Sequence, residues 1–341
     1  MDEARHLYDQ IAKRTAGSIY IGVVGPVRTG KSTFIKRFME QLVLPHLENT
    51  YQRDRARDEL PQSGWGRTIM TTEPKFVPEQ AVEISPDGVS KLKVRLIDSV
   101  GYLVPGAMGA DEEGTPRMVM TPWAQEEIPL AQAAEIGTKK VMEEHSSIGI
   151  VMTTDGSITD IPAGDYTDAQ NRAISDMLAT GKPFVILVNS EHPESAEARS
   201  LARRLSQQYG VGARAVNALT MDEEQIQSIL TDLMYEFPAT ELRFFLPGWV
   251  RALPDDSPVK TALYDAMREQ AGKLTKIAQA EPAMKQLLNL AQVHACAVTD
   301  VDLGTGTITA ELSVPESLFY ELLSQRTGLE IAGELDLMQI L

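Results

Sequence analysis

Cysteine is almost missing from this chain: Cys296 is the only one in 341 residues. A single thiol excludes an intrachain disulfide and fits a reducing compartment, where its ordinary role is that of a small buried hydrophobe. Positive charge is scarce too. Lys and Arg total 32 against 48 Asp and Glu, a net charge of −16, which argues against broad nucleic-acid binding because that needs a cationic face. The same deficit argues against direct attraction to anionic lipid, so membrane contact would need a partner or an apolar insertion. No run of 18 apolar residues spans a bilayer, and no internal repeat or low-complexity tract is visible. The N-terminal MDEARHLYDQIAKRT reads as a charged amphipathic helix, residues 2–16, and not as a signal peptide. Together these absences describe a cytosolic protein without a membrane span.

An apolar share of 43% with ordinary glycine and proline content describes a folded chain. Its length suggests a large domain and a smaller one. SIYIGVVG (18–25) reads as a buried strand and GKSTFIKRFMEQLVLP (30–45) as the helix it feeds. HLENTYQRDRARDEL continues as charged helix, and PQSGWGRTIMTTEPKF is expected to be loop. AVEIS and KLKVRLIDSVG form an expected hairpin around a PDG turn. Residues 101–128, rich in glycine and with an acidic tip, read as irregular.

From there helices and near-continuous apolar strands alternate up to Pro238. That pattern predicts an α/β fold, a mostly parallel sheet with helices on both faces. After Pro238 it changes. ELRFFLPGWVRAL looks strand-like, 258–293 carries helical periodicity, and HACAVTDVDLGTGTITAELSV looks like two strands around a Gly-Thr-Gly turn. The division is therefore 1–238 for a P-loop domain and 239–341 for a smaller α+β domain. From Cys296 onward Arg326 is the only basic residue against eight acids, a solvated acidic face.

The chemistry sits at Gly25-Pro-Val-Arg-Thr-Gly30-Lys31-Ser32, which fits G-x-x-x-x-G-K-[ST] in full between a strand and a helix. Gly25 and Gly30 allow the backbone to curl so that N–H groups point inward at phosphate oxygens, and the helix start adds its positive end. Arg28, Thr29 and Thr33 complete the expected nucleotide contacts. Lys31 places a charge at the β/γ-phosphates, and the Ser32 hydroxyl is a Mg²⁺ ligand. Asp98, at the end of an apolar strand, begins D-x-x-G. It is expected to hold the metal through its water shell, with the Gly101 N–H facing the γ-phosphate. In the loop GRTIMTTEP, Thr71 and Thr72, ahead of Thr68, are the candidates to sense the γ-phosphate, Thr72 also as a metal ligand.

This order of elements resembles the translation-factor-like GTPases, in which a later strand ends in N-K-x-D. Here the strand ends LVNSEH: Asn189 is kept, Ser190 stands where lysine would stack on the base, and His192 stands in place of the aspartate. A neutral imidazole cannot accept both guanine N–H donors, and losing that contact costs about 2–4 kcal/mol. ATP with Mg²⁺ becomes the expected ligand. Tyr102 occupies the place where many such GTPases carry a water-orienting glutamine. Arg28 occupies the place of asparagine in potassium-dependent relatives, where a guanidinium could stabilise transition-state charge.

The phrases GVVGPVRTGKSTFIKRFME, GWGRTIMTTEPKFVPEQAVEI, VRLIDSVGYLVPGA and TTDGSITDIPAGDY, with RFFLPGW further on, resemble the stage IV sporulation protein A family of endospore-forming bacteria. The resemblance implies an ATPase derived from a GTPase fold that polymerises on the outer forespore surface, in the mother-cell cytoplasm, as the base of the spore coat. Lys31, Asp98, Thr71 and Thr72 fall on its phosphate-loop lysine, metal acid and sensor threonines. It also implies partners: further copies of itself, a small amphipathic membrane-anchoring peptide, and other coat proteins. Family members continue into a C-terminal domain that is not evident here. The competing reading is a nucleotide-controlled switch or a scaffold without turnover. A small-molecule kinase is disfavoured because no arginine-rich lid follows D-x-x-G.

Overall fold

The structure, a computed structural model, describes residues 2–61, 73–107, 109, 111–112, 115–124 and 126–341. It separates into two compact units, Met1–Phe237 and Pro238–Leu341.

The first unit runs α1 (Asp2–Arg14), β1 (Ser18–Val24), α2 (Lys31–Phe38), α3 (Thr50–Asp58), β2 (Lys75–Ile84) and β3 (Leu92–Asp98). Two short antiparallel pairs follow: β4 (Asp111–Glu112) with β5 (Thr115–Pro116), and β6 (Met118–Val119) with β7 (Ile128–Pro129). The unit closes with α4 (Leu130–Lys140), β8 (Ile148–Thr154), α5 (Thr167–Ala179), β9 (Phe184–Asn189), α6 (Ala196–Tyr209), β10 (Ala213–Val216) and α7 (Glu223–Tyr235). The sheet order is β10-β9-β8-β1-β3-β2. Only β2 is antiparallel, paired to β3; the other neighbours are parallel. This is the doubly covered α/β sheet that alternation of strand and helix demands, and it explains why β8 and β9 are buried at every residue.

Side chains set the helix starts. Asn49 accepts from Tyr51 and Gln52 N–H at the start of α3, Ser195 accepts from Ala198 N–H before α6, and Asp222 forms a capping box with Gln225 before α7. After α4 the chain widens into one π-turn at Val141–His145. There Lys182 Nζ, arriving from the far side of α5, donates to the carbonyls of Met142, Glu143 and Ser146 at 2.7–2.8 Å. It supplies the positive end group that the last carbonyls of a helix lack.

The second unit comprises β11 (Glu241–Phe245), α8 (Gly248–Ala252), α9 (Pro258–Lys273), α10 (Ala280–Leu287), β12 (Ala295–Asp302), β13 (Thr307–Ser313), α11 (Glu316–Thr327) and α12 (Glu334–Ile340). Its sheet order is β11-β13-β12, with β11 parallel and β12 antiparallel to β13. Val250, Leu263, Met267, Met284, Leu312 and Cys296 share its core. The Cys296 Sγ lies 3.6 Å from Met284 Sδ, and burial pushes its thiol up, as expected of a packing residue.

Four local expectations are corrected. Lys75 and Phe76 open β2 instead of closing the preceding loop, because their pairing with Asp98 and Ile97 of β3 outweighs the turn formers around them. The stretch 101–128 contains the two short strand pairs. ELRFFLPGWVRAL is a strand only to Phe245; Pro247, extended and unable to donate to a ladder, ends it and leads into α8. The helical periodicity of 258–293 breaks at Leu274, where the N–H groups of Thr275 and Lys276 donate instead to Gln279 Oε1. Among the described residues no helix is long and apolar enough to cross a membrane.

Candidate nucleotide site

The strand ends meet at one edge of the sheet. Val23 of β1 lies beside Asp98 of β3, Val24 beside Val151, and Thr154 of β8 beside Asn189 of β9. In a doubly wound sheet the strand order turns outward in both directions from one strand, here β1, and ligands sit at the carboxyl ends beside it.

Lys31 opens α2 and folds back over the loop before it. Its Nζ donates to the carbonyls of Pro26 at 2.7 Å and Gly25 at 3.4 Å. Only 5% exposed, the ammonium is pushed down to about 8 by burial, with Asp98 acting in the opposite direction. A buried cation held by neutral carbonyls is stabilised further by any anion that reaches it. One residue on, the Ser32 hydroxyl donates to Asp98 Oδ2 at 2.5 Å. Asp98 is 3% exposed, and its Oδ1 has no hydrogen-bond partner among the described residues. Burial raises its carboxyl, against Ser32, Lys31 and Lys75. A hydroxyl beside a carboxylate with an oxygen to spare is a hard-oxygen donor set that fits Mg²⁺ with its waters.

Glycine is required by contact at three positions of the site, and a Cβ on Gly25 (φ 135) would lie 2.1 Å from the Met152 carbonyl. A Cβ on Gly30 would lie 2.2 Å from Asn189 Nδ2, and that amide is a tie between loops. Its Nδ2 donates to the Thr29 carbonyl at 3.1 Å, and its Oδ1 accepts from Ala218 N–H at 3.0 Å. A Cβ on Gly101 (φ 97) would fall 2.4 Å from the Gly25 carbonyl and 2.5 Å from Lys31 Nζ, so D-x-x-G and the phosphate loop touch. The Gly101 N–H, expected to face the γ-phosphate, here donates to the buried Thr138 hydroxyl of α4 at 3.0 Å. Thr29 is fully buried and donates its hydroxyl to the Pro26 carbonyl at 3.0 Å, shaping the loop. Thr33 follows Ser32 in the first turn of α2.

Tyr102 explains what became of the glutamine position. Its N–H donates to the Gly25 carbonyl at 3.2 Å, and its carbonyl accepts from Val27 N–H at 2.9 Å. Its ring is 3% exposed, and the phenol donates to Asp176 of α5 at 2.5 Å. A side chain committed there orients no water. Arg28 adopts φ 65, a left-handed conformation that costs a non-glycine residue roughly 1–2 kcal/mol. Burial lowers its guanidinium while Tyr166 acts to raise it, so Arg28 and the segment between β8 and α5 share one environment. Thr68, Thr71 and Thr72 lie outside the described residues.

At the base end, Ser190 is fully buried and accepts from His192 N–H at 3.0 Å, whereas the His192 side chain is exposed. Ser157 bridges this loop to the one after β8. It accepts from Glu191 N–H at 2.9 Å and donates to Asp155, whose carboxylate also takes the Ser157 N–H. Asp155, Ser157 and Thr138 carried no expectation from sequence. The available signal was an Asp-Gly-Ser turn directly after a wholly buried strand.

Two family models account for the whole chain. The one described as stage IV sporulation protein A, ATPase domain, matches residues 1–238, and the one described as its middle domain matches 239–341. The chain belongs to the stage IV sporulation protein A family. Members from Clostridioides difficile (strain 630) and Bacillus subtilis (strain 168) are 43% identical over 336 residues and 41% identical over 335. Each match covers 98% of this chain and 68% of the relative. Among solved structures, the FeoB G-domain from Methanococcus jannaschii overlays with a TM-score of 0.32 at 12% identity, covering 63% of this chain and 98% of that one. That overlap is too slight to argue from. Family membership makes this a sporulation protein with an ATPase domain, and nucleotide hydrolysis is the chemistry that goes with it.

Proposed function

We propose that this chain binds ATP with Mg²⁺, hydrolyses it, and uses the hydrolysis to change conformation and polymerise as the basement layer of the spore coat. The single observation that carries the ATPase half is the Ser32–Asp98 pair at 2.5 Å beside buried Lys31, with Asp98 Oδ1 unpartnered among the described residues. Lys31 meets the β/γ-phosphates, the loop N–H groups between Gly25 and Ser32 surround them, and Ser32 and Asp98 hold the metal with Thr72. Mg²⁺, when bound, would supply positive charge to offset the negative charge that develops on the transferring phosphate. As water attacks the γ-phosphorus the bond to the ADP oxygen breaks. With Tyr102 committed to Asp176, the water falls to Thr71, Thr72 and backbone groups, and Arg28 of the phosphate loop is a second internal cation, beside Lys31, to stabilise transition-state charge.

Adenine is favoured because Ser190 and His192 provide no carboxylate for guanine. The reading extends to assembly on the outer forespore surface from the mother-cell cytoplasm, recruitment there by a small amphipathic membrane-anchoring peptide, and addition of other coat proteins, and membership in a sporulation-protein family supports it. The −16 charge opposes casual aggregation by self-repulsion, so self-association needs a specific, nucleotide-conditioned surface. The test follows ATP and GTP hydrolysis and pelleting in the same reaction. Steady phosphate release from ATP, lost in Lys31→Ala, together with ATP-dependent pelleting is the expected result. Selective GTP hydrolysis overturns the nucleotide assignment. Pelleting without turnover returns the chain to the scaffold class.

A further inference from the structure

The two outer edges of the main sheet are treated differently. On β2 the edge is covered: Glu79 N–H is taken by Glu59 Oε2 at 2.8 Å from the end of α3, Arg55 reaches Glu79 at 3.3 Å, and the register shifts between Val77 and Val82. Covering groups of this kind block pairing with another strand. Beside β10 the Glu236 carboxylate, at the end of α7, takes the Gly212 N–H at 2.7 Å just before the strand, but no such group meets the outward backbone of Ala213 and Ala215 among the described residues. β10 pairs only with β9. Ile186 N–H donates to the Gly212 carbonyl, and the Val216 carbonyl accepts from Ser190 N–H. In a parallel ladder alternate residues face the neighbour, so Ala213 and Ala215 turn both backbone groups outward.

A cleft of about 400 Å³ lies along that edge. Its alanines, Ala202 of α6 with Ala213 and Ala215, leave room for another backbone. Its charged rim is Arg199, Arg203 and Arg214 against Glu194 alone, in a chain where acids outnumber bases 48 to 32. Arg214 is engaged with Ser228 and Asp232 of α7, both at 2.7 Å. Arg199 pairs with the exposed Glu194, and among the described residues Arg203 bonds only the Arg199 carbonyl, at 3.3 Å. The two α6 arginines are exposed and face solvent.

The complementary strand is in the second unit. β12 is an edge strand with β13 on one side only; its register with β13 shifts between Val298 and Asp300, and the pairing is regular from Ala295 to Val298 and from Asp300 to Asp302. Asp300 and Glu311 are both exposed and lie on one face of this β12–β13 pair, since Asp300 is opposite Thr309 and Glu311 opposite Ala297. We propose that the open β10 edge, flanked by Arg199 and Arg203, receives the β12 edge of a second copy of this chain, whose exposed face carries Asp300 on β12 itself and Glu311 on the adjacent β13. Strand addition supplies the backbone bonds, and the arginine–acid pairs fix register. Unlike surfaces on successive copies make a heterologous contact, which propagates as an open polymer or closes as a ring. This rests on the self-assembly reading above.

The test uses the full chain with ATP and Mg²⁺, reading pelleting and sedimentation alongside hydrolysis. Arg199→Glu with Arg203→Glu is expected to raise the concentration for half-assembly about tenfold or more. Asp300→Arg with Glu311→Arg should do the same, and the four changes in one chain should recover most of the loss. Ala215→Pro, which removes only an outward N–H, should weaken assembly with hydrolysis intact. If the unaltered chain assembles and either reversed pair assembles equally well, or the combined chain stays as impaired as the pairs, this surface is wrong and the assembly reading stands. If the unaltered chain hydrolyses ATP yet stays monomeric at every concentration, both fall.

Discussion

The phosphate end and the base end of the site are built from the same sheet edge but in opposite ways. At the phosphate end the working groups are ionisable and buried: Lys31 and Asp98 are 5% and 3% exposed, and burial pushes both toward their neutral forms. At the base end the buried groups are neutral, Asn189 and Ser190, and the titratable residues of the same turn, Glu191 and His192, are exposed. Charge is placed where a polyphosphate and its metal would repay the desolvation, and is withheld where it would only discriminate one purine from another. Triphosphate affinity and base selectivity are therefore separable properties of this fold.

The strongest way to break that contrast is Lys31→Ala, which should cut ATP affinity at least about 100-fold, as removal of a buried charge-assisted contact does; equilibrium titration with a fluorescent ATP analogue reads it. Next is Asp98→Asn, which keeps shape but removes the charge. Hydrolysis should fall by about 100-fold and its dependence on Mg²⁺ concentration should shift upward, measured by phosphate release across a Mg²⁺ series. An unchanged Mg²⁺ dependence would remove Asp98 from the metal site.

Of these residues, those of the phosphate end were readable in the sequence because the pattern is local: strand, loop, lysine and helix occupy adjacent positions, and Asp98 ends an apolar strand. Tyr102 was not, because its meaning lies in Asp176, 74 positions away, and no spacing rule links them. Ser157 and Thr138 were hidden for the same reason, each acting on a loop from another strand or helix. The parallel sheet was legible from alternation of continuous apolar strands with helices. The turn from β11 into α8 was not, since an apolar stretch of that length suits either state until Pro247 decides.

Smaller effects sharpen the base-end half. Asn189→Ala leaves the Thr29 carbonyl and the Ala218 N–H without partners, a loss of about 1–3 kcal/mol, and should lower the melting temperature of the nucleotide-free protein by a few degrees in a thermal scan. If the midpoint stays put while ATP affinity falls, Asn189 serves the ligand and not the loops. The smallest change expected is from Ser190→Lys with His192→Asp, which restores the guanine-reading groups. The ratio of GTP to ATP affinity should rise by about tenfold, below the full effect because Ser190 is buried and its hydroxyl caps the turn. Competition of the two nucleotides for one labelled analogue reads the ratio directly.

The pairing of Tyr102 with Gly25 and Val27 has a consequence for time as well as for geometry. The β1–β3 ladder does not stop at Val23 and Asp98; it reaches into the site through the Pro26–Tyr102 bridge. The amides of Val27 and Tyr102 should therefore exchange their hydrogens with deuterated water on the slow schedule of whole-unit unfolding, not on the seconds schedule of an ordinary surface loop. Any excursion that the segment after β3 makes during a catalytic cycle then has its fixed point at Tyr102 and begins at Leu103.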